Sequence, residues 1–148
     1  MRQLTFVLQF KGSGAPVPGS DNRLRARTTA TGQIFRSLLD PKGIHAVVEA
    51  ADMTTAVFES EVQITGAGTF VESGSITYGA AGKVTFKTVG QGVIGPSPKT
   101  DLQRGAVIWE VTGSEGQLAG ASGLITSNFT LSDKGDVIDN QFALLFVK

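Results

Sequence analysis

The residues of this chain that could do chemistry are acids and amides set among apolar residues on strand-like segments. Read with a period of two, Glu72 falls in phase with Phe70, Ile76 and Tyr78. Glu110 falls in phase with Ile108. Further on, Asn128 shares a phase with Leu124, Thr126 and Thr130, and Asn140 with Ile138, Phe142, Leu144 and Phe146. A carboxyl group among apolar neighbours is costly to ionise. Its pKa rises toward the range where a general acid or base works at neutral pH. The pattern predicts a cofactor-free acid–base site. Glu72 or Glu110 is the base, and Tyr78, Asn128 and Asn140 hold an oxyanion. Trp109, Phe70 and Phe142 form the apolar wall against the ligand, although Trp109 also suits a core position. The bland alternative is that these polar groups satisfy one another, or that the phase containing them faces solvent.

Other constellations give less. His45, Glu49 and Asp52 are spaced i, i+4, i+7, which on a helix would gather metal ligands on one face. The segment is not clearly helical and His45 is the only histidine, so no metal site is predicted. The same single histidine, with no Gly-x-Ser-x-Gly elbow, leaves a serine triad without support. Arg23, Arg25 and Arg27 share a strand face and read as a solvated outer surface, with an anionic ligand as the alternative. Glu59 and Glu61 also share a face, as an exposed pair or as a catalytic one. Asn128-Phe129-Thr130 matches a glycosylation sequon inside a predicted strand and reads as accidental.

Positioning these groups falls to strands. The 148 residues suit one domain, taken as 1–148, long enough to bury a core without staples. Thirteen basic and thirteen acidic residues balance, which argues against a nucleic-acid binder and a polybasic membrane contact. A neutral surface also fits an oligomer. There is no cysteine, so disulfides, thiol nucleophiles and thiolate metal sites are excluded, and a cytoplasmic location is compatible. MRQLTFVLQF lacks the apolar run of a signal peptide, and no stretch approaches the length of a spanning helix.

Nineteen glycines, spread along the chain, suit many short strands joined by tight turns. Strands are predicted at 4–10, 23–35, 57–64, 70–78, 83–90, 105–111, 125–131 and 137–147. Residues 11–22 and 91–104 read as loops, and 36–56 fit either a helix or a strand. About eight strands without a confident helix, joined late in the chain by short connections, imply an all-β antiparallel barrel or sandwich. The barrel is preferred because closure removes the edges that Phe- and Val-rich strands would expose.

The stretch GSEGQLAGASGL at 113–124 joins two of these strands. Its glycines permit positive φ and hence consecutive tight turns, and Leu118 with Ala119 can cap the barrel end. A phosphate nest is the weaker reading, because the spacing is neither G-x-G-x-x-G nor a P-loop.

The pattern W-x-V-T-G-x-x-G-x-L-x-G-A-x-G-L at 109–124, followed by an alternating strand, resembles the late segment of the allene oxide cyclase family, with a looser likeness to plant dirigent proteins. The close likeness covers about residues 105–130. It implies a single eight-stranded antiparallel barrel with an apolar cavity, a homo-oligomer (trimer or dimer), and no cofactor. It also implies a small hydrophobic molecule as partner, acted on by an isomerase, cyclase or lyase. A non-catalytic binder and an oligomeric scaffold with a packed barrel are the alternatives. The family's cavity cysteine has no counterpart in this chain, and its N-terminal catalytic Glu and Asn match no position.

Overall fold

The computed structural model describes residues 1–51 and 54–148, which carry eleven strands. They are β1 (Arg2–Pro16), β2 (Arg23–Ala30), β3 (Gln33–Asp40), β4 (Gly43–Ala50), β5 (Ala56–Gly66) and β6 (Thr69–Tyr78). After a short 3-10 turn come β7 (Gly82–Thr88), β8 (Gly92–Pro96), β9 (Leu102–Gly116), β10 (Ser122–Ser132) and β11 (Asp136–Val147). Eight of them pair in the order β10-β11-β1-β2-β5-β6-β7-β9, and β9 returns to β10. All pairings are antiparallel, so the ring is a closed antiparallel barrel. Closure gives every ring strand a partner on each side over part of its length, which covers most of the edge that apolar strands would otherwise offer to another chain.

The eight ring strands coincide with the eight predicted from alternation and turn residues. Three segments differ. β1 runs on to Pro16 through a stretch predicted as loop, because Gly12 lets the backbone approach β2. A Cβ there would lie 2.2 Å from the Arg27 carbonyl oxygen. β8 falls inside the predicted 91–104 loop and lies outside the ring of pairings. It meets β6 at Thr69–Phe70 and β9 at Gln103–Ala106, continuing the line of β7. The segment 36–56, left between helix and strand, is mostly β-structure. β3 and β4 form a separate two-stranded arm in which Gln33 pairs with Ala50 and Asp40 with Gly43. The predicted strand 23–35 is accordingly two, divided after Ala30.

The glycine-rich stretch closes one barrel end. Gly116, Gly120 and Gly123 have φ of 71°, 75° and 138°, a region that disfavours other residues. Two turn hydrogen bonds, Ala119 N to Gly116 O and Ala121 N to Leu118 O, fold the chain back. They drive Leu118 into the core, while Ala119 stays exposed.

The interior is layered. At the Leu118 end Phe6 packs edge-on to Tyr78, with ring centroids 5.2 Å apart. A central aromatic layer follows: Phe58, Phe86 and Trp109 have centroids 4.7–5.4 Å apart, and Phe10 leans on Phe58. Rings at these separations add roughly 1 kcal/mol per pair beyond area burial. The sheet must coil tightly at this layer, and Gly74 on β6 allows it. A Cβ there would lie 2.1 Å from the Glu59 carbonyl oxygen and 3.0 Å from Phe86. Gly74→Ala is therefore expected to push β5 and β6 apart and destabilise the fold by about 1–3 kcal/mol. Denaturant unfolding checks this, and an unchanged midpoint would mean that the strands yield freely there.

Candidate functional site

At the barrel end opposite Leu118 a cavity of about 110 Å³ remains. Phe58 and Trp109 of the aromatic layer form its floor. Phe70 and Phe129 line its walls, with centroids 6.0 Å apart. Phe70 lies over Gly92 and Phe129 over Gly105, so each ring occupies the space that a side chain would otherwise take. The rim is Leu24, Val62, Ile64, Ile94, Leu131 and Val137, all half-buried, so the cavity reaches the surface through an apolar mouth.

Four buried polar side chains interrupt these walls, Thr28, Glu72, Ser127 and Asp139, and the exposed Arg25 stands at the edge. Glu72 points inward from β6 and is 8% exposed. Ser60 donates its hydroxyl to Glu72 Oε1 at 2.5 Å, and the Trp109 indole Nε1 donates to Oε2 at 3.1 Å. Burial pushes the Glu72 carboxyl up to about 7. The nearby Asp139 charge adds to the rise, against the pull of the Ser60 and Trp109 hydrogen bonds. Asp139 on β11 is 4% exposed. Ser127 donates to its Oδ1 at 2.6 Å and Gln141 Nε2 to its Oδ2 at 2.8 Å. Burial lifts this carboxyl to about 6, opposed by the same two donors. The barrel thus holds two carboxyl groups, each gripped by two donors and each titrating near neutrality. Thr28 is 2% exposed, and its Oγ1 has no hydrogen-bond partner among the described residues.

Of the residues predicted from sequence, Glu72, Phe70 and Trp109 meet at this cavity. The rest lie elsewhere. Tyr78 faces inward but sits six residues along β6 from Glu72, roughly 20 Å away. It packs under Phe6, where burial pushes its phenol up, and its hydroxyl has no partner among the described residues. Glu110 points outward and pairs with Lys87 at 3.1 Å. Asn128 and Asn140 are exposed on the outer wall, where Asn140 bonds Gln9. Phe142 is 45% exposed on the same wall. The expected inner faces of β10 and β11 are therefore reversed, and on β9 the inward residue is Trp109 and not Glu110. The inward set is Val107 and Trp109, then Ile125 and Ser127, then Asp139, Gln141, Ala143 and Leu145. The reason is physical. The outer wall is apolar here too, so alternation marks both faces equally.

Asp139, Ser127, Gln141, Ser60 and Thr28 carry half of the site and were missed. One signal could have found Asp139. The short turn at 132–136 fixes the register of β10 and β11, placing Phe129 opposite Asp139. Putting the Phe129 ring inside therefore puts Asp139 inside.

The remaining constellations resolve as surface. Arg23 and Arg25 face Glu61, and Arg27 faces Glu59, at 3.4–3.8 Å across the outer wall of β2 and β5. Exposed pairs of this kind contribute little. His45 Nε2 lies 3.3 Å from Asp40 and Arg36 donates to Glu49 at 2.7 Å, both on the arm, while Asp52 lies outside the described residues. Among the described residues no three His, Cys, Asp or Glu side chains gather as a metal site, and no helix is long and apolar enough to cross a membrane. No family model, curated protein or solved structure matches this chain.

Proposed function

We propose that the barrel takes up a small, largely apolar molecule carrying one hydrogen-bond acceptor, and that Glu72 and Asp139 move a proton on it without a cofactor. The observation behind this reading is the pair of buried carboxyls whose environments hold one near 7 and the other near 6 beside an apolar cavity. Two acids split in this way can share the work between pH 6 and 7. Asp139 is ionised and accepts a proton, while Glu72 is still protonated and donates one. Proton transfer from a carbon beside a carbonyl, with return of a proton elsewhere, is an isomerisation that balances with no co-reactant. Thr28 Oγ1 is free to donate to the carbonyl oxygen. At about 110 Å³ the cavity limits the ligand to a molecule no larger than benzene, which an apolar cavity of about 150 Å³ holds. Cyclisation, which the likeness at residues 109–124 suggests, is a different isomerisation that moves no proton from carbon.

A second reading has its own support. All four carboxylate oxygens already have a donor within the barrel, and 110 Å³ is below the range of most ligand pockets. This favours a binder, or a packed scaffold, in which the carboxyls are structural.

Solvent deuterium exchange into the carbon beside the carbonyl of cyclopentanone separates the readings. Acid–base catalysis predicts exchange faster than in buffer alone, with a bell-shaped rate whose limbs lie near pH 6 and 7. It also predicts a loss of about 100-fold or more in Asp139→Asn and in Glu72→Gln. A saturable shift of the Thr28 and Phe129 resonances without exchange would select the binder. Neither shift nor exchange would leave the scaffold.

A further inference from the structure

The exposed apolar side chains of this molecule are concentrated in two places. Of twelve large hydrophobic residues exposed among the described residues, five are on the β3–β4 arm: Ile34, Leu38, Leu39, Ile44 and Val48. Five more, Val89, Ile108, Leu124, Ile138 and Phe142, stud the outer wall formed by β9, β10, β11 and the segment after β7. That wall contains a groove of about 520 Å³, with Val7, Val89, Ile108 and Phe142 on its sides and the amides of Asn128 and Asn140 among them.

The arm is a ribbon roughly 26 Å long, and an isolated two-stranded ribbon is marginal in water. Its own barrel supports it only at the base, where the Gln33 amide bonds both the N–H and the C=O of Gln9 at 2.6 and 2.8 Å. Gln9 also donates its own amide to Asn140 at the groove, at 2.9 Å. The arm base and the groove therefore adjoin. Beside them runs a free backbone edge. On the side of β1 away from β11, β2 pairs only with Lys11–Pro16, so Arg2–Leu8 has no strand partner there among the described residues. An apolar arm, an apolar groove and an open edge on one side of a molecule are a combination that native proteins normally cover.

We propose that a second copy of this chain covers them, each arm lying across the other copy's groove about a two-fold axis. Charge favours the chain's own copy over a foreign partner. The arm carries two bases, Arg36 and Lys42, and two acids, Asp40 and Glu49, so its charges balance. The groove presents amides and hydroxyls, and the chain carries no net charge. Neither surface selects an acidic or a basic partner, and neither repels its own kind. Because arm base and groove are contiguous, one two-fold operation buries both at once. The contact closes as a dimer and does not propagate.

Sedimentation velocity over a wide concentration range tests this, with the substitutions confined to exposed positions so that folding is retained and checked by circular dichroism. The wild type is expected to be a dimer. Leu39→Lys with Ile44→Lys on the arm, or Ile108→Glu with Phe142→Glu in the groove, should each give a monomer. An equimolar mixture of the two variants should restore a dimer, since lysines on one arm meet glutamates in the other groove while the second contact stays native. A monomeric wild type, a trimer or larger ring, dimers that survive both pairs of substitutions, or a mixture that stays monomeric would each overturn the proposal.

Discussion

Glu72→Gln is expected to remove most of the pH dependence of stability between pH 4.5 and about 7. In the wild type the fold keeps the Glu72 proton over that window, while the unfolded chain loses it near 4.5. The unfolded state therefore binds fewer protons, and stability falls as pH rises through the window and levels off above about 7. At about 1.4 kcal/mol per pH unit, the fall from Glu72 comes to roughly 3 kcal/mol. Asp139 adds a fall of the same sign between 3.8 and about 6. Glutamine fits the site, since its oxygen can accept from Trp109 and its NH₂ can donate to Ser60. The variant should thus lose the Glu72 part, keep the Asp139 part, and gain on the wild type above pH 7. Chemical denaturation from pH 4 to 8 measures it. Parallel curves for the two proteins would mean that Glu72 is ionised within the fold at ordinary carboxylate pH.

The second large effect belongs to Trp109, which is 1% exposed and packs against Phe58 and Phe86. Trp109→Ala should cost about 3–5 kcal/mol, from lost burial and the void left in the aromatic layer. Trp109→Phe separates packing from hydrogen bonding. It keeps a ring but removes the donor to Glu72 Oε2, a bond that lowers the Glu72 pKa. The phenylalanine variant should cost less, yet move the Glu72 titration upward. Glu110→Ala, on the neighbouring outward position, should change stability by no more than about 0.5–1 kcal/mol. Equal costs at 109 and 110 would contradict the assigned face of β9.

How much of this was legible in the sequence varies by strand. The ring was readable because Leu4, Phe6, Leu8 and Phe10 alternate, and because the Gly-rich turns at 113–123 and 132–136 mark the ends of β9 and β10. Glu72 was readable because only one face of β6 is apolar. On β9 to β11 the reading failed because Ile108, Leu124, Ile138 and Phe142 make the outer wall apolar as well. Even so, adjacency alone excludes one pair. Trp109 and Glu110 are consecutive on a strand and cannot both point inward. The arm was opaque for a related reason. IHAVVEA has apolar side chains on both faces of the ribbon, and no two-residue period results.

The central claim is that burial holds two carboxyl groups inside the barrel well above the ordinary carboxylate range, Glu72 near 7 and Asp139 near 6. Carbon-13 NMR titration of the side-chain carboxyls, assigned with Glu72→Gln and Asp139→Asn, tests it most directly. Two buried carboxyl resonances should titrate as a coupled pair with apparent values near 7 and 6, well separated from the exposed acids. If both instead titrate with the exposed carboxylates near about 4, the barrel holds ordinary charged groups and the acid–base pair does not exist.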